Sequence, residues 1–169
     1  MAKHFNISGE LTQQLLSAGQ NVSVSKISLT NTQKVSECKV DLYVEKKLTG
    51  KFYLLKGVEL PIGATLIYDD INFRNDTDGF SLYIKLTDGA TFTLTGTIDP
   101  AASTTVTGSH TAFLSEVSIG DEIVVSGETR TVSDIASDAS LTVSSAFSDN
   151  SNDTTPDCNP TALVDVIIN

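Results

Sequence analysis

Histidine is the usual general base of nucleophilic catalysis, and this chain has only two, His4 and His110. A nucleophilic site needs a Ser or Cys beside a His, and a third group that orients the His ring. His4 lies in a terminal segment and His110 in a Ser/Thr-rich turn, and no GxSxG elbow occurs in the chain. The sequence therefore predicts that neither histidine is catalytic and that the protein is not an enzyme.

The only metal-like spacing is Asp76-Thr77-Asp78-Gly79, which has the Asp-x-Asp-Gly order of a calcium loop. The first and twelfth ligand positions of such a loop would be Arg74 and Lys85, where an EF-hand has acids. The segment is therefore predicted to be a turn that uses Asp and Gly for their backbone geometry. Asp69-Asp70 leaves one alternative open, a contribution to a calcium site in a loop.

No cofactor or paired-carboxylate site is expected. Glycosidase chemistry needs two acids that face one cleft, whereas the acids here are scattered among turns. The glycines mark separate turns and form no phosphate-binding loop (Gly57, Gly63, Gly79 and Gly89). We therefore predict no catalytic, cofactor-binding or metal-binding residue.

The two cysteines, Cys38 and Cys158, are far apart in sequence and match no metal-ligand spacing. Cys38 opens one predicted strand and Cys158 precedes another, so the thiols would lie close if those strands were neighbours. The other interpretation is two unrelated thiols in a reducing cytosol. The first six residues have no apolar core of a signal peptide, and no stretch approaches the roughly 20 apolar residues of a membrane helix. Synthesis in the cytoplasm is therefore expected.

Charge divides the chain. The formal net charge is −10, which argues against binding to nucleic acid or to anionic membranes. Ten of the eleven basic residues lie in residues 1–90 together with ten acids, whereas residues 91–169 hold eleven acids and one base, Arg130. This shift favours two units with different surfaces over gradual drift within one domain.

Strands dominate the hydrophobic pattern. Alternation of apolar and polar residues predicts the first group of strands at residues 21–31, 39–45, 52–55, 64–68, 80–86 and 91–98. Lys56-Gly57 is expected to end the third of these. One helix is predicted at residues 11–18, with Ser8 as N-cap and Gly19 after its end, and an irregular strand is the alternative there.

The acidic half has its own set of elements. Strands are predicted at residues 103–107, 119–125, 129–132 and 140–143, with a single helical turn at 112–117. Residues 148–160 are polar and are predicted to be a linker without packing. Elements of this number and size predict a small β-barrel-like domain.

The last segment, residues 161–169, is an apolar strand predicted to be buried on both faces. The acidic unit is complete without it, so we expect it to join the sheet of residues 20–91. The predicted fold is all-β: an antiparallel β-sandwich of residues 1–91 plus 161–169, with residues 92–160 inserted at an exposed turn.

Two stretches resemble known proteins. ISLTN, VDLYV, FYLLKGVELPIGATLIYDD and VDVIIN together resemble small β-sandwich structural proteins of tailed-bacteriophage virions. Residues 105–147, from TVTGSHTAFLSEVSIGDEI to the closing SLTVSSAF, resemble a small β module of phage virion and tail proteins. In single-module relatives the closing strand follows the LYIKL strand almost directly, which implies the same insertion.

The resemblance implies a non-enzymatic virion protein, either a capsid decoration (cement) protein or a neck or tail connector. Expected partners are other virion proteins (major capsid, neck or tail protein) and further copies of the chain in a homo-oligomer. The rival hypothesis is a host-receptor or carbohydrate-binding adhesion module, which would need grouped exposed aromatic residues. The chain has no Trp and only four tyrosines, Tyr43, Tyr53, Tyr68 and Tyr83, so the sequence gives little support to that rival.

Overall fold

A computed structural model describes residues 1–75 and 79–169 of the chain, and this part consists almost entirely of strands. Every strand pairing in it is antiparallel. In chain order the elements are β1 (Lys3–Ser8), β2 (Gln13–Leu16), β3 (Val22–Val24), β4 (Ile27–Asn31), β5 (Cys38–Lys46), β6 (Gly50–Leu60), β7 (Thr65–Tyr68), β8 (Phe73–Asn75), β9 (Ser81–Thr87), β10 (Phe92–Thr93), β11 (Thr97–Asp99), β12 (Thr105–Ser109), α1 (Phe113–Glu116), β13 (Glu122–Val125), β14 (Glu128–Ser137), β15 (Ser140–Val143), β16 (Asp157–Asn159) and β17 (Leu163–Ile168). The predicted all-β fold is confirmed.

The chain forms two compact units. Unit 1 consists of Met1–Gln33, Glu37–Asp88 and Ala162–Asn169, and unit 2 consists of Lys34–Ser36 and Gly89–Thr161. Unit 1 is thus made of segments from both ends of the chain. It carries nine Lys and Arg against eleven Asp and Glu, whereas unit 2 carries two against ten.

Unit 1 is a sandwich of two four-stranded sheets. Sheet A has the order β1-β17-β4-β7, and sheet B has the order β2-β9-β5-β6. Alternate residues of β4, β5, β9 and β17 point into one shared core, for example Leu29 and Val166 from sheet A and Leu42 and Ile84 from sheet B. All four are essentially inaccessible to water. This period-two burial is what the alternating sequence pattern predicts.

The closing strand β17 lies between β1 and β4. It was predicted to join the sheet of residues 20–91, and its pairing with β4 agrees with this. Val164, Val166 and Ile168 are buried in the core, whereas Ile167 on the other face is 37% exposed. The prediction that both faces are buried was wrong. The outer face of sheet A has no second layer within the described part of unit 1, so only one face of β17 packs.

The predicted helix at residues 11–18 is also wrong, and the alternative of an irregular strand is confirmed, because these residues contain β2, which pairs with β9 with a register shift. Leu15 and Leu16 are both buried, and a register shift between Gln14 and Leu16 allows two consecutive leucines to reach the core. A helix of eight residues is barely stable by itself in water, so pairing with a neighbouring strand prevails.

Two other parts of unit 1 differ from the predicted strands. Residues 21–31 form two strands in place of one, since β3 pairs with β8 while β4 belongs to sheet A. The chain turns between them at Ser25 and Lys26, whose backbone N–H groups both donate to the carbonyl of Asn169. β1 was not predicted at all, although it forms six register pairs with β17.

β6 continues through Lys56-Gly57, where the sequence predicted a break. The register shifts there, so that these two residues lie opposite Asp41 alone. The Asp41 carboxylate accepts hydrogen bonds from Lys56 Nζ at 2.6 Å and from the Gly57 N–H at 2.7 Å. The glycine is thus part of a β-bulge that increases the local twist without ending the strand.

Unit 2 is one seven-stranded antiparallel sheet, in the order β10-β16-β13-β14-β15-β12-β11. Side chains from across this sheet enter a single core with Phe113 of α1, which requires the sheet to curl around them. α1 confirms the predicted helical turn. The predicted strand at residues 91–98 is divided into β10 and β11, with Gly96 between them.

Residues 148–160 are not an unpacked linker, contrary to prediction. They contain β16, which pairs with β10 and β13, and Cys158 is fully buried in the core of unit 2. Pro156 and Pro160 are buried as well. A short strand needs only one apolar face, and three buried residues at alternate positions provide it even in a polar segment.

Candidate functional site: a tyrosine–lysine sheet face

Neither histidine lies in a catalytic arrangement in the described residues. His4 is exposed in β1 of unit 1, and His110 is exposed in unit 2. The His110 Nδ1 atom lies 3.1 Å from the Oγ atom of its neighbour Ser109, and within residues 1–75 and 79–169 no carboxylate accepts a hydrogen bond from either ring. The nucleophile–base–acid chain of a hydrolase is therefore not assembled around them.

No metal centre is built by the described residues, because no three His, Cys, Asp or Glu side chains in residues 1–75 and 79–169 are grouped to hold an ion. Asp69 and Asp70 are exposed after the end of β7. The calcium-like segment Asp76-Thr77-Asp78-Gly79 was predicted to be a turn. Residues 76–78 of this segment lie outside the described part of the chain. No helix in the described part is long and apolar enough to cross a bilayer.

The two cysteines are free and lie in separate cores, Cys38 in unit 1 and Cys158 in unit 2. Their strands are not neighbours, since β5 lies between β9 and β6, and β16 lies between β10 and β13. Burial raises the pKa of Cys38 to about 11, helped by the nearby carboxyls of Asp88 and Glu37. Burial raises the pKa of Cys158 to about 12, helped by Asp121.

These raised pKa values predict inert thiols. Below pH 9, the usual pKa of an unfolded cysteine, both groups stay protonated and their contribution to stability is complete. As the pH rises from 9 through 11 to 12, the unfolded chain loses its thiol protons first, so this contribution is lost. We expect dithionitrobenzoate at pH 8 to label neither thiol in the native protein and both in denaturant. Rapid release of one equivalent from native protein would contradict the burial.

The main surface feature of unit 1 is a row of tyrosines on the outer side of sheet B. Tyr83 of β9, Tyr43 of β5 and Tyr53 of β6 are directly paired in register. The ring centroids of Tyr43 lie 5.4 Å from those of both Tyr53 and Tyr83. Gln14 of β2 extends the row, donating from Nε2 to the Tyr83 hydroxyl at 3.0 Å. The row therefore crosses all four strands.

Lysines surround this row. Lys51 Nζ lies 4.7 Å above the centre of the Tyr43 ring, and Lys56 Nζ lies 4.5 Å above that of Tyr53. Ammonium groups over aromatic faces are attracted by the ring electrons, which fixes long side chains that otherwise move freely. Tyr43 is only 4% exposed although it lies outside the core of unit 1, because its neighbours cover it.

Acidic residues of β5 and β6 complete the pattern. Lys85 lies opposite Asp41 in register, and Lys51 lies opposite Glu45. Lys39 forms an exposed ion pair with Glu59 at 3.6 Å. We call this surface the Tyr–Lys face, and its residues are Tyr43, Tyr53, Tyr83, Lys39, Lys51, Lys56, Lys85, Asp41, Glu45 and Glu59. Lys46 ends β5 and Lys47 follows it, so they lie at one end of the face.

Hydrogen bonds favour the charged forms of three groups on the Tyr–Lys face, Asp41, Lys51 and Lys56. The hydrogen bond to Tyr43 raises the pKa of Lys51, and the hydrogen bond to Asp41 raises the pKa of Lys56. Partial burial acts to raise the pKa of Asp41, but hydrogen bonds from Lys56 and Gly57 outweigh it and hold that pKa below its usual value of 3.8. Lys51 and Lys56 therefore keep their positive charge beside a covered ring, that of Tyr43, and a half-exposed ring, that of Tyr53.

The sequence contained only part of the signal for this face. Each tyrosine occupies an alternating strand position, and Tyr43 is preceded by inward-facing Leu42, so its outward direction is readable. The grouping of three tyrosines depends on strand order and register, which no local pattern supplies. Tyr68, the fourth tyrosine, lies in β7 of sheet A and is not part of it.

The single arginine of unit 2, Arg130, links several parts of that unit. Arg130 donates to Glu128 Oε2 at 2.6 Å and to the carbonyl of Ala146, and its guanidinium lies 5.1 Å from the centre of the Phe147 ring. Glu128 Oε1 accepts from the Ser148 hydroxyl and N–H and from the Asp149 N–H. These contacts fasten the segment after β15 onto the edge of the β13–β14 hairpin.

This cluster predicts an acid-sensitive contact. The hydrogen bonds from Ser148 and Asp149 lower the pKa of Glu128 to about 2. Its stabilising contribution is therefore present above pH 4.5, the ordinary pKa of Glu, and is lost as the pH falls through about 2. We expect Glu128→Gln to destabilise unit 2 at pH 7 and to match the unsubstituted chain at pH 2. Glu122→Gln, at an exposed position of β13, is the control and should change neither urea midpoint.

The fold thus defines an all-β protein of two units, with an interface-like sheet face on unit 1. No family model matches the chain, and no curated protein matches it in sequence. A chain from the structure of infectious bursal disease virus, Gt strain, is 10% identical with a TM-score of 0.26, over 98% of this chain and 30% of that chain. A chain from the Gx strain is 9% identical with a TM-score of 0.24, over 99% and 40%.

This chain therefore spans less than half the length of either viral chain. TM-scores of 0.26 and 0.24 do not establish a shared fold, so these similarities assign neither a family nor an activity.

Proposed function

We propose that the protein is a non-enzymatic structural protein of a tailed-bacteriophage virion, either a decoration (cement) subunit of the capsid or a connector at the neck or tail. Its partners would be other virion proteins and, in the particle, further copies of itself. The resemblance of ISLTN, VDLYV, FYLLKGVELPIGATLIYDD and VDVIIN, and of residues 105–147, to phage β modules suggests this class. The observation in the structure that carries the proposal is the separation of charge between the two units.

Unit 1 is the anchoring unit in this proposal. It carries nine of the eleven basic residues and the Tyr–Lys face, whose tyrosines are residues that protein interfaces favour at their centres. Unit 2 carries ten acids against two bases, so copies of it repel one another unless a basic partner intervenes. In a repetitive particle this repulsion favours unit 2 pointing into solvent, where salt screens its charge.

The decisive experiment compares particles made with and without unit 2. Unit 1 stops at Asp88 and resumes at Ala162, and the Asp88 carboxylate accepts a hydrogen bond from the Ala162 N–H at 2.7 Å. These two residues are therefore adjacent, and a short Gly-Ser bridge can replace residues 89–161. We expect the full chain in gradient-purified virions by mass spectrometry, and the shortened chain at similar occupancy. A chain found only in the lysate would overturn the virion assignment. A shortened chain that folds but does not bind would reverse the orientation.

A non-enzymatic role has its own test. Because neither histidine has a catalytic neighbour in the described residues, His4→Ala and His110→Ala together should leave assembly and virion infectivity unchanged within about two-fold. A hydrolase or lyase activity of the purified chain that either substitution abolishes would contradict the proposal.

The second candidate, a carbohydrate-binding adhesion module, is favoured by one observation, the grouped tyrosines of sheet B. Sugar stacking needs open aromatic faces. Two of the three rings are covered by lysine ammonium groups, and Tyr43 is 4% exposed. A glycan array probed with the full chain would separate the two functions, and specific sugar binding abolished by Tyr53→Ala would favour this second one.

A further inference from the structure

The Tyr–Lys face has more positive charge than its own acids neutralise. Lys39 and Lys56 form ion pairs with Glu59 and Asp41. Lys51 and Lys85 form no ion pair within 4.0 Å among the described residues. Lys51 Nζ lies 4.7 Å above the Tyr43 ring, and Lys85 lies opposite Asp41 in register.

These two lysines lie at opposite corners of the tyrosine row. Lys85 is opposite Asp41 on one side of β5, and Lys51 is opposite Glu45 on the other side, four residues further along. With strands about 4.8 Å apart and about 3.4 Å per residue, their Cα positions are roughly 17 Å apart. An extended segment carries side chains on one side about every 6.8 Å, so five to seven residues span this distance.

The surface between the two lysines suits a protein segment. Tyr43 lies midway between them in register and is covered, whereas Tyr53 beside it on β6 is 46% exposed even with Lys56 Nζ over one face of its ring, so part of this tyrosine is open to a peptide. A nucleic acid requires many phosphate contacts, whereas the chain has net charge −10 and only two unpaired lysines on this face. The residual charge therefore selects a short run of carboxylates.

We infer that the Tyr–Lys face binds an extended acidic segment of a partner protein, with carboxylates on Lys51 and Lys85 and the peptide backbone beside the exposed part of Tyr53. This inference rests on the proposed function, since it specifies the chemistry by which unit 1 would anchor to another virion protein. The segment would cross the strands of sheet B obliquely and approach the Tyr–Lys face from outside, without entering the sandwich.

The experiment uses the full-length purified chain and a fluorescein-labelled decapeptide of alternating Glu and Ser, with alternating Gln and Ser as the uncharged control. Fluorescence anisotropy at low salt should show binding of the Glu peptide alone. Lys51→Gln with Lys85→Gln should weaken it at least ten-fold. Lys3→Gln with Lys26→Gln removes the same charge outside the face and should change affinity by less than two-fold. Matching melting temperatures would confirm that all variants fold.

Several outcomes would overturn the inference. Equal losses in both double variants would mean non-specific attraction. Tighter binding of an oligothymidine of ten nucleotides than of the Glu peptide would indicate nucleic acid. Self-association in sedimentation that disappears with Lys51→Gln and Lys85→Gln would make a second copy the occupant. Absence of peptide binding with the chain still present in virions would reject this inference alone, whereas binding by a chain absent from virions would reject only the proposed function.

Discussion

Val166→Asp should leave unit 1 unfolded. Val166 lies at the centre of β17, paired with Phe5 of β1 on one side and with Leu29 of β4 on the other, and is 1% exposed. The substitution removes a buried apolar side chain and places a carboxylate in the core without a partner. Each effect costs several kcal/mol, and the sum of about 5 kcal/mol or more equals the whole stability of a typical domain.

The neighbouring position supplies the control. Ile167 points to the outer face of sheet A and is 37% exposed, so Ile167→Asp adds the same charge to the same strand without entering the core. We expect it to cost about 1 kcal/mol or less. Tyrosine fluorescence is a suitable probe, because all four tyrosines lie in unit 1. A folded Val166→Asp protein, or equal losses at both positions, would show that β17 is not a central strand.

Removing residues 163–169 altogether should have the same result. Without β17, β1 loses its sheet partner and β4 loses one of its two neighbours. The exposed strand edges and the apolar core would then favour aggregation. Size-exclusion chromatography of the truncated chain would show this as loss of the monomer peak.

Some strands of this fold can be predicted from the sequence and others cannot, because only some of them have a regular alternation of apolar and polar residues. Strands with strict alternation, such as β5 and β9, were predicted within one or two residues, because burial of one sheet face imposes the pattern. β2 was predicted only as the alternative to a helix, because a register shift beside its two adjacent leucines breaks the alternating pattern. β16 was missed because it has a single apolar residue, Cys158, between two polar ones, and the buried prolines on either side are outside the strand.

The candidate site was less predictable than the fold. The charge count placed ten of the eleven basic residues in residues 1–90 without singling out the lysines of this face, and the tyrosines were given little weight because the chain has only four and no Trp. Cross-strand register brings Tyr43, Tyr53 and Tyr83 together, and register is determined by the whole sandwich and not by any one strand. The split of charge along the sequence was readable directly and reappears in the composition of the two units.

Gly96→Ala should strongly destabilise unit 2. Gly96 has φ +88°, in the left-handed region that favours glycine. An added Cβ would lie 2.5 Å from the carbonyl oxygen of Ser109 and 2.6 Å from backbone atoms of His110. Backbone atoms cannot rotate away as a side chain can, so either the loop between β10 and β11 or the end of β12 must move. The φ strain and the overlap together should cost roughly 3–5 kcal/mol.

Gly127→Ala separates the two contributions. Gly127 has φ +80°, yet a Cβ there would have nothing within 4 Å, so this variant carries the strain without the overlap and should cost roughly 1–2 kcal/mol. Because unit 2 contains no tyrosine, its unfolding should appear in far-UV circular dichroism while tyrosine fluorescence still reports native unit 1. Equal urea midpoints for the two variants would show that the Ser109–His110 backbone yields. A fluorescence transition that shifts together with the dichroism would mean that both units unfold as one, and the insertion would then be part of the stability of unit 1.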